Sequence, residues 1–124
     1  MSDPDSTADV SAGARGTPEP VVLTELADSL IADLPQHPSG RTARTVLSGT
    51  VMRAVVIALR EGAMMAEHDS PSAATLYLIT GQVTVRTSDR DWPVLAGQLI
   101  PLPPQRHAVE AHADSAFLLT VALH

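Results

Sequence analysis

Residues 23–34 repeat with a helical period, whereas from about residue 41 onward apolar and polar positions change over in short runs. In LTELADSLIADL, Leu23, Leu26, Leu30, Ile31 and Leu34 fall at i, i+3, i+7, i+8 and i+11, one stripe of an amphipathic helix. Thr24 is the expected N-cap, Glu25 suits the positive end of the helix dipole, and Pro35 is expected to stop the helix. The stripe is read as packing on the domain's own core, with a partner-binding helix as the alternative. Thr42–Leu47, Val51–Leu59, Met64–His68, Thr75–Thr80, Gln82–Thr87, Gln98–Leu102, His107–Ala111 and Ala116–Leu123 read as β-strands. Turn residues break them at Ser48-Gly49, Glu61-Gly62, Gly81, Ser88–Asp91, Ala96-Gly97, Pro103-Pro104 and Ala113–Ser115. Eight such runs with no helix between them predict an all-β sandwich or barrel and disfavour a parallel βαβ sheet. The last run alternates only weakly, as a strand buried on both faces does.

Residues 1–20 carry Asp, Ser, Gly and Pro with a single Val, so they read as a disordered acidic tail before one domain over 21–124. The tail lacks the basic-then-apolar order of a secretory signal, and no stretch of about eighteen apolar residues exists to span a membrane. A cytoplasmic location is the default expectation.

Eight Lys+Arg against fourteen Asp+Glu give a formal charge of -6, which argues against nucleic acid or an anionic membrane as partner. There is no cysteine, which removes disulfides, thiolate catalysis and Fe–S clusters. Every basic residue is arginine, so lysine Schiff-base chemistry is absent too. The aromatics are Tyr77, Trp92 and Phe117, too few for a base-stacking platform. Phosphate loops, nucleophile elbows, H-E-x-x-H and EF-hand loops are not found, and Asp89 and Asp91 read as a turn.

Two stretches carry the chemistry. Gly62, then His68, Ser70, Pro71, Ala74, Tyr77-Leu78-Ile79 and Gly81, precede a strand–turn–strand spacer over Gln82–Ala96; Gly97, Pro103, Gln105 and His107 follow. This resembles the two signature motifs of the cupin superfamily. Both glycines and the first histidine of motif one match in spacing, as do Gly97 and Pro103 of motif two. Gln105 replaces a glycine, His107 arrives one residue early, and Ala111 stands near the motif's asparagine. The likeness covers roughly residues 50–124. It is similar to small actinobacterial cupins in Glu67-His68, Ala74-Thr75-Leu76, Gly81-Gln82-Val83 and Pro103 to Ala122. It implies a cupin (RmlC-like) jelly-roll barrel with a short N-terminal helix.

In metal-binding cupins three histidines and a glutamate converge inside the barrel. The resemblance places those positions at His68, Ser70, Ala74 and His107, so the metal site is degenerate: alanine cannot ligate and serine ligates poorly. Alternate residues share a face, so His68 and Ser70 are expected inward, with Glu67 and Asp69 turned away. His68 and His107 would hold a divalent transition metal (Zn, Fe, Mn or Ni) only weakly. Each also has a structural reading: His68 as a cavity residue bonded to Ser70 or water, His107 as a strand-start residue at the mouth. Arg106 at the presumed mouth is either an anion clamp or plain surface. Arg53, in phase with Val51, Val55 and Ile57, is either a pocket anchor or an outer residue. Glu110 and His112 are expected to face solvent or a partner subunit, and Met64 and Met65 to fill gaps near the pocket. His37 and His124 receive no role.

Three roles follow from this. The first is a cupin that binds a small molecule in its barrel without a complete metal site. The second is a metal-dependent enzyme of dioxygenase or isomerase type using His68 and His107. The third is a regulatory or sensory module. The resemblance also implies a homodimer.

Overall fold

In the computed structural model the described residues are 7–9, 18–67 and 73–123. His68, Ser70 and Asp69 lie outside them, as do His124 and most of the 1–20 segment.

Helix α1 spans Leu23–Asp33. Its N-cap is Val22 rather than Thr24: Val22 has extended backbone (φ -84, ψ 101), and its carbonyl accepts the first helical bond, 3.0 Å from Leu26 N. No side chain caps the end, because Thr24 already lies within the first turn. Pro35 falls in a short 3-10 turn, Leu34–Gln36, which ends the helix as expected. The helix is buried through Leu30 and Leu34 of that stripe and through Ala27 beside it, against Val56, Ala58 and Ala116 of the sheet below.

Ten strands follow the chain in order among the described residues: β1 Thr7–Asp9, β2 Arg41–Ser48, β3 Met52–Leu59, β4 Met64–Glu67, β5 Ala74–Thr80, β6 Gln82–Arg86, β7 Asp91–Leu95, β8 Leu99–Pro101, β9 His107–Ala111 and β10 Ser115–Ala122. β1 lies in the segment expected to be a structureless tail, and pairs in parallel with β2. β7 is the second strand of the spacer; its Pro93 is tolerated because β7 is the edge of its sheet, where an N–H is not needed on the open side.

The strands form two sheets, β1-β2-β3-β10-β5-β8 and β4-β9-β6-β7. From β3 to β10 the chain passes from one sheet to the other at every step except the β6–β7 hairpin. The two sheets enclose one core, with Ile57, Leu76, Leu78 and Phe117 from the first and Val83, Val85 and Val109 from the second. The outer face of the first sheet is covered by α1. This explains why β3 and β10 are apolar on both faces: Val55 and Ile57 face the core between the sheets, while Val56 and Ala58 face the helix. The fold is therefore mostly β, two-layered and largely antiparallel, with one short helix, as the strand pattern predicts. No helix among the described residues is long and apolar enough to cross a membrane.

At the β5–β6 turn, Gly81 has φ +97 and sits against Ser115, the first residue of β10. Ser115 is fully buried; its Oγ accepts from Gln82 N (3.0 Å) and donates to Ala113 O (2.7 Å). That hydroxyl ties the turn to the central strand.

Candidate functional site

Pairing in the first sheet aligns inward side chains into rows. Ile57 pairs with Phe117 and then Leu78, Val55 with Leu119 and then Leu76, and Arg53 with Val121 and then Ala74. Successive rows step outward from a dry core to a rim: Phe117 and Leu78 are fully buried, Val121 and Ala74 half-buried, and Arg53 exposed. The phase that puts Arg53 with Val55 and Ile57 thus places it on the cavity side of β3.

A cavity of about 330 Å³ lies along this face, lined among others by Arg41, Thr42, Arg53, Val55, Met65 and Leu119. That volume is within the range of small-ligand sites. Among the described residues, those lining it include two arginines and no carboxylate. A second gap, of about 10 Å³, shares Met65, Leu119 and Val121 with it and is closed by Ala74, Leu102 and His107. A gap this size is near the lower limit for one water molecule.

His107 begins β9 and alternates in burial with Val109 and Ala111, so its ring turns inward at the strand's start. It is 5% exposed. Nδ1 lies 3.1 Å from the carbonyl oxygen of Gln105, an acceptor only, so Nδ1 carries the proton of the neutral ring. Nε2 is then left with a lone pair, buried and without a hydrogen-bond partner among the described residues. An unmet buried acceptor costs about 1–3 kcal/mol, so the position has a use for a donor. Gln105, where the cupin motif has glycine, supplies the carbonyl that sets the tautomer.

Ala74 and His107 border the small gap, whereas Arg53 lines the larger cavity two strands away from Ala74 in the same row. Arg106 is exposed on the loop before His107 and does not line either gap. Met65 lines both gaps, whereas Met64, expected beside it near the pocket, points away and is 56% exposed. Alternation on a strand requires this opposition. Glu110 lies on the outer face, opposite His107 as expected, and is half-buried there by its pairing with Arg86: Oε1 is 2.7 Å from Nε and 2.6 Å from Nη2, and Arg86 also reaches Asp91 at 2.7 Å. The hydrogen bonds to Glu110, then its charge and that of Asp91, hold the Arg86 guanidinium above its ordinary pKa. His112 Nε2 contacts Thr84 Oγ1 at 2.7 Å on the same outer face. These groups belong to pairing between β6 and β9, not to the cavity. Arg41 and Thr42 were not singled out by the sequence; only the pairing of β2 with β3, Ala43 opposite Ile57, brings them to the cavity.

Two of the four positions that the cupin motifs give to metal ligands, His68 and Ser70, lie outside the described residues. Of the positions that the cupin motifs give to ligands, Ala74 presents a methyl group and His107 one nitrogen, and the surrounding Met65, Leu102, Leu119 and Val121 offer no oxygen donor. No group of three His, Cys, Asp or Glu side chains comes together among the described residues. A catalytic zinc or iron centre needs three protein ligands.

No protein-family model matches the chain, and no curated protein does. Solved structures match it. A conserved Streptococcus pyogenes protein of unknown function is 25% identical over 73% of this chain and 83% of its own, with a TM-score of 0.62. A cupin superfamily protein of Desulfitobacterium hafniense is 9% identical over 68% and 78%, with a TM-score of 0.63. A mutant salicylate 1,2-dioxygenase of Pseudoaminobacter salicylatoxidans is 13% identical with a TM-score of 0.65; the match covers 78% of this chain and 33% of the enzyme. At these identities the likeness concerns architecture. Strand order, the alternation between sheets and these neighbours together show that the chain has the cupin, or RmlC-like, jelly-roll fold.

Proposed function

We propose that this protein binds a small molecule inside its barrel and does so without a complete metal site. The observation that carries the reading is the cavity of about 330 Å³ between the sheets, where Val55, Met65 and Leu119 supply apolar lining and Arg41, Thr42 and Arg53 supply polar lining. Such a lining is that of a ligand pocket: apolar area supplies affinity and a few placed polar groups supply orientation. The buried, unpartnered Nε2 of His107 in the adjoining gap supports it, since a ligand's donor would satisfy that nitrogen. Ala74 at a family ligand position favours binding over metal-assisted chemistry.

Ala43 packs beside the core and lines the cavity, so Ala43→Phe fills it from the β2 side. A panel of metabolite-sized compounds is screened by thermal shift and confirmed by calorimetry on the full chain. Compounds that raise the melting temperature of the parent are expected to lose their effect on Ala43→Phe. Binders unaffected by both Ala43→Phe and Ala66→Phe, a second cavity-lining change at an exposed position, would overturn the assignment of the cavity; so would a panel without a single binder.

A further inference from the structure

We propose that the barrel takes a small hydroxy-carboxylate: an anionic head bound by Arg53, an apolar body along Val121 and Leu119, and a hydroxyl that donates to His107 Nε2. The inference rests on the binding role proposed above and specifies its ligand class.

Three features select that chemistry. Arg53 stands at the cavity rim in register with Val121, and no hydrogen bond or ion pair engages it among the described residues. Among the described residues, no Asp or Glu lines the cavity to compete for it. A planar guanidinium with free donors binds a carboxylate bidentately. Val121, Leu119 and Met65 line both the cavity and the adjoining gap and present only apolar atoms from their side chains, so the middle of the ligand is apolar. In the neutral ring, the Nδ1 bond to Gln105 leaves His107 Nε2 an acceptor, which lies beyond Leu119 and Val121 from Arg53 and has no partner among the described residues. A second carboxylate would present acceptor to acceptor there, whereas a hydroxyl presents a proton.

The span fits a short molecule. Arg53, Val121 and Ala74 occupy three neighbouring strands, so the backbones of Arg53 and Ala74 stand about 10 Å apart. His107 borders the gap that Ala74 closes.

The test uses the full chain and three probes of one skeleton: ω-hydroxyhexanoate, hexanoate, and the hexane diol. Calorimetry is expected to rank the hydroxy acid tightest. Arg53→Gln should weaken the hydroxy acid and hexanoate about tenfold or more, the size of a lost charge-assisted hydrogen bond, and leave the diol unchanged. Arg53 is exposed, so the variant is expected to fold; Arg90→Gln, a change at an exposed arginine over Trp92, should alter nothing. His107→Phe should abolish the preference for the hydroxy acid over hexanoate. Equal binding of all three probes in the cavity, or an Arg53→Gln variant that binds the hydroxy acid as the parent does, overturns the ligand class but leaves the barrel as a binding site. Failure of all three, together with an empty compound panel, sinks both readings.

Discussion

Replacing Gly81 by alanine tests how the β5–β6 turn is joined to β10, and its cost can be worked from the geometry. Gly81 has φ +97, a conformation that costs a residue with a Cβ about 1–3 kcal/mol. A Cβ there would also lie 2.7 Å from Ser115 Cα and collide with the Ser115 hydroxyl. The nearest atoms include backbone, so relief requires β10 to shift. That shift breaks the Oγ bonds with Gln82 N and Ala113 O, at about 1 kcal/mol net each. Together the terms give about 3–5 kcal/mol, a large part of the roughly 5–15 kcal/mol that holds a domain folded. For an ordered region of this size, that is a fall in melting temperature of roughly 10–25 °C. Gly62→Ala is the control: φ is +87, but nothing lies within 4 Å of its added Cβ, so only the conformational cost remains. Urea unfolding followed by far-UV circular dichroism measures both. If Gly81→Ala lies within about 0.5 kcal/mol of Gly62→Ala, the contact with Ser115 carries no energy and the reasoning fails.

Other outcomes follow from the same structure. Val22→Asp places an acceptor at an exposed, extended N-cap that has none, so it should stabilise the fold by about 0.5–1 kcal/mol by urea unfolding. Leu30→Ala opens a hole between α1 and the sheet, where Leu30 is 2% exposed; a loss of about 2–4 kcal/mol is expected, and a change below 0.5 would show that the helix is not docked there. Dialysis against a chelator should leave the melting temperature unchanged, because Ala74 and the apolar neighbours of His107 supply no ligands. A stoichiometric metal detected by elemental analysis, with stability that falls on its removal, would reverse that conclusion and return the enzyme reading.

Much of the architecture was legible along the chain. The spacing of Leu23, Leu26, Leu30, Ile31 and Leu34 gave a helix whose buried side is that stripe, and the β-rich runs gave the strands to within a residue or two at most ends. The N-cap was expected at Thr24 but falls at Val22, because Leu23 already packs on the sheet within the helix. The site was less legible. Arg53 fell in phase with Val55 and Ile57, yet its neighbours Val56 and Ala58 are as apolar, since α1 covers the other face of β3. Alternation read one strand at a time therefore left open which face was the cavity.

Periodicity and turn chemistry depend on residues a few positions apart, so the sequence alone determined the all-β class, the short helix, the turn glycines and the absence of thiol or lysine chemistry. Only the folded chain decided that Arg53 stands beside Val121 and Ala74, that Arg41 reaches the same cavity, and that Gln105 turns the His107 lone pair inward. Those facts arise from register between strands distant in sequence, and a register shift of one residue would send every such side chain to the opposite face.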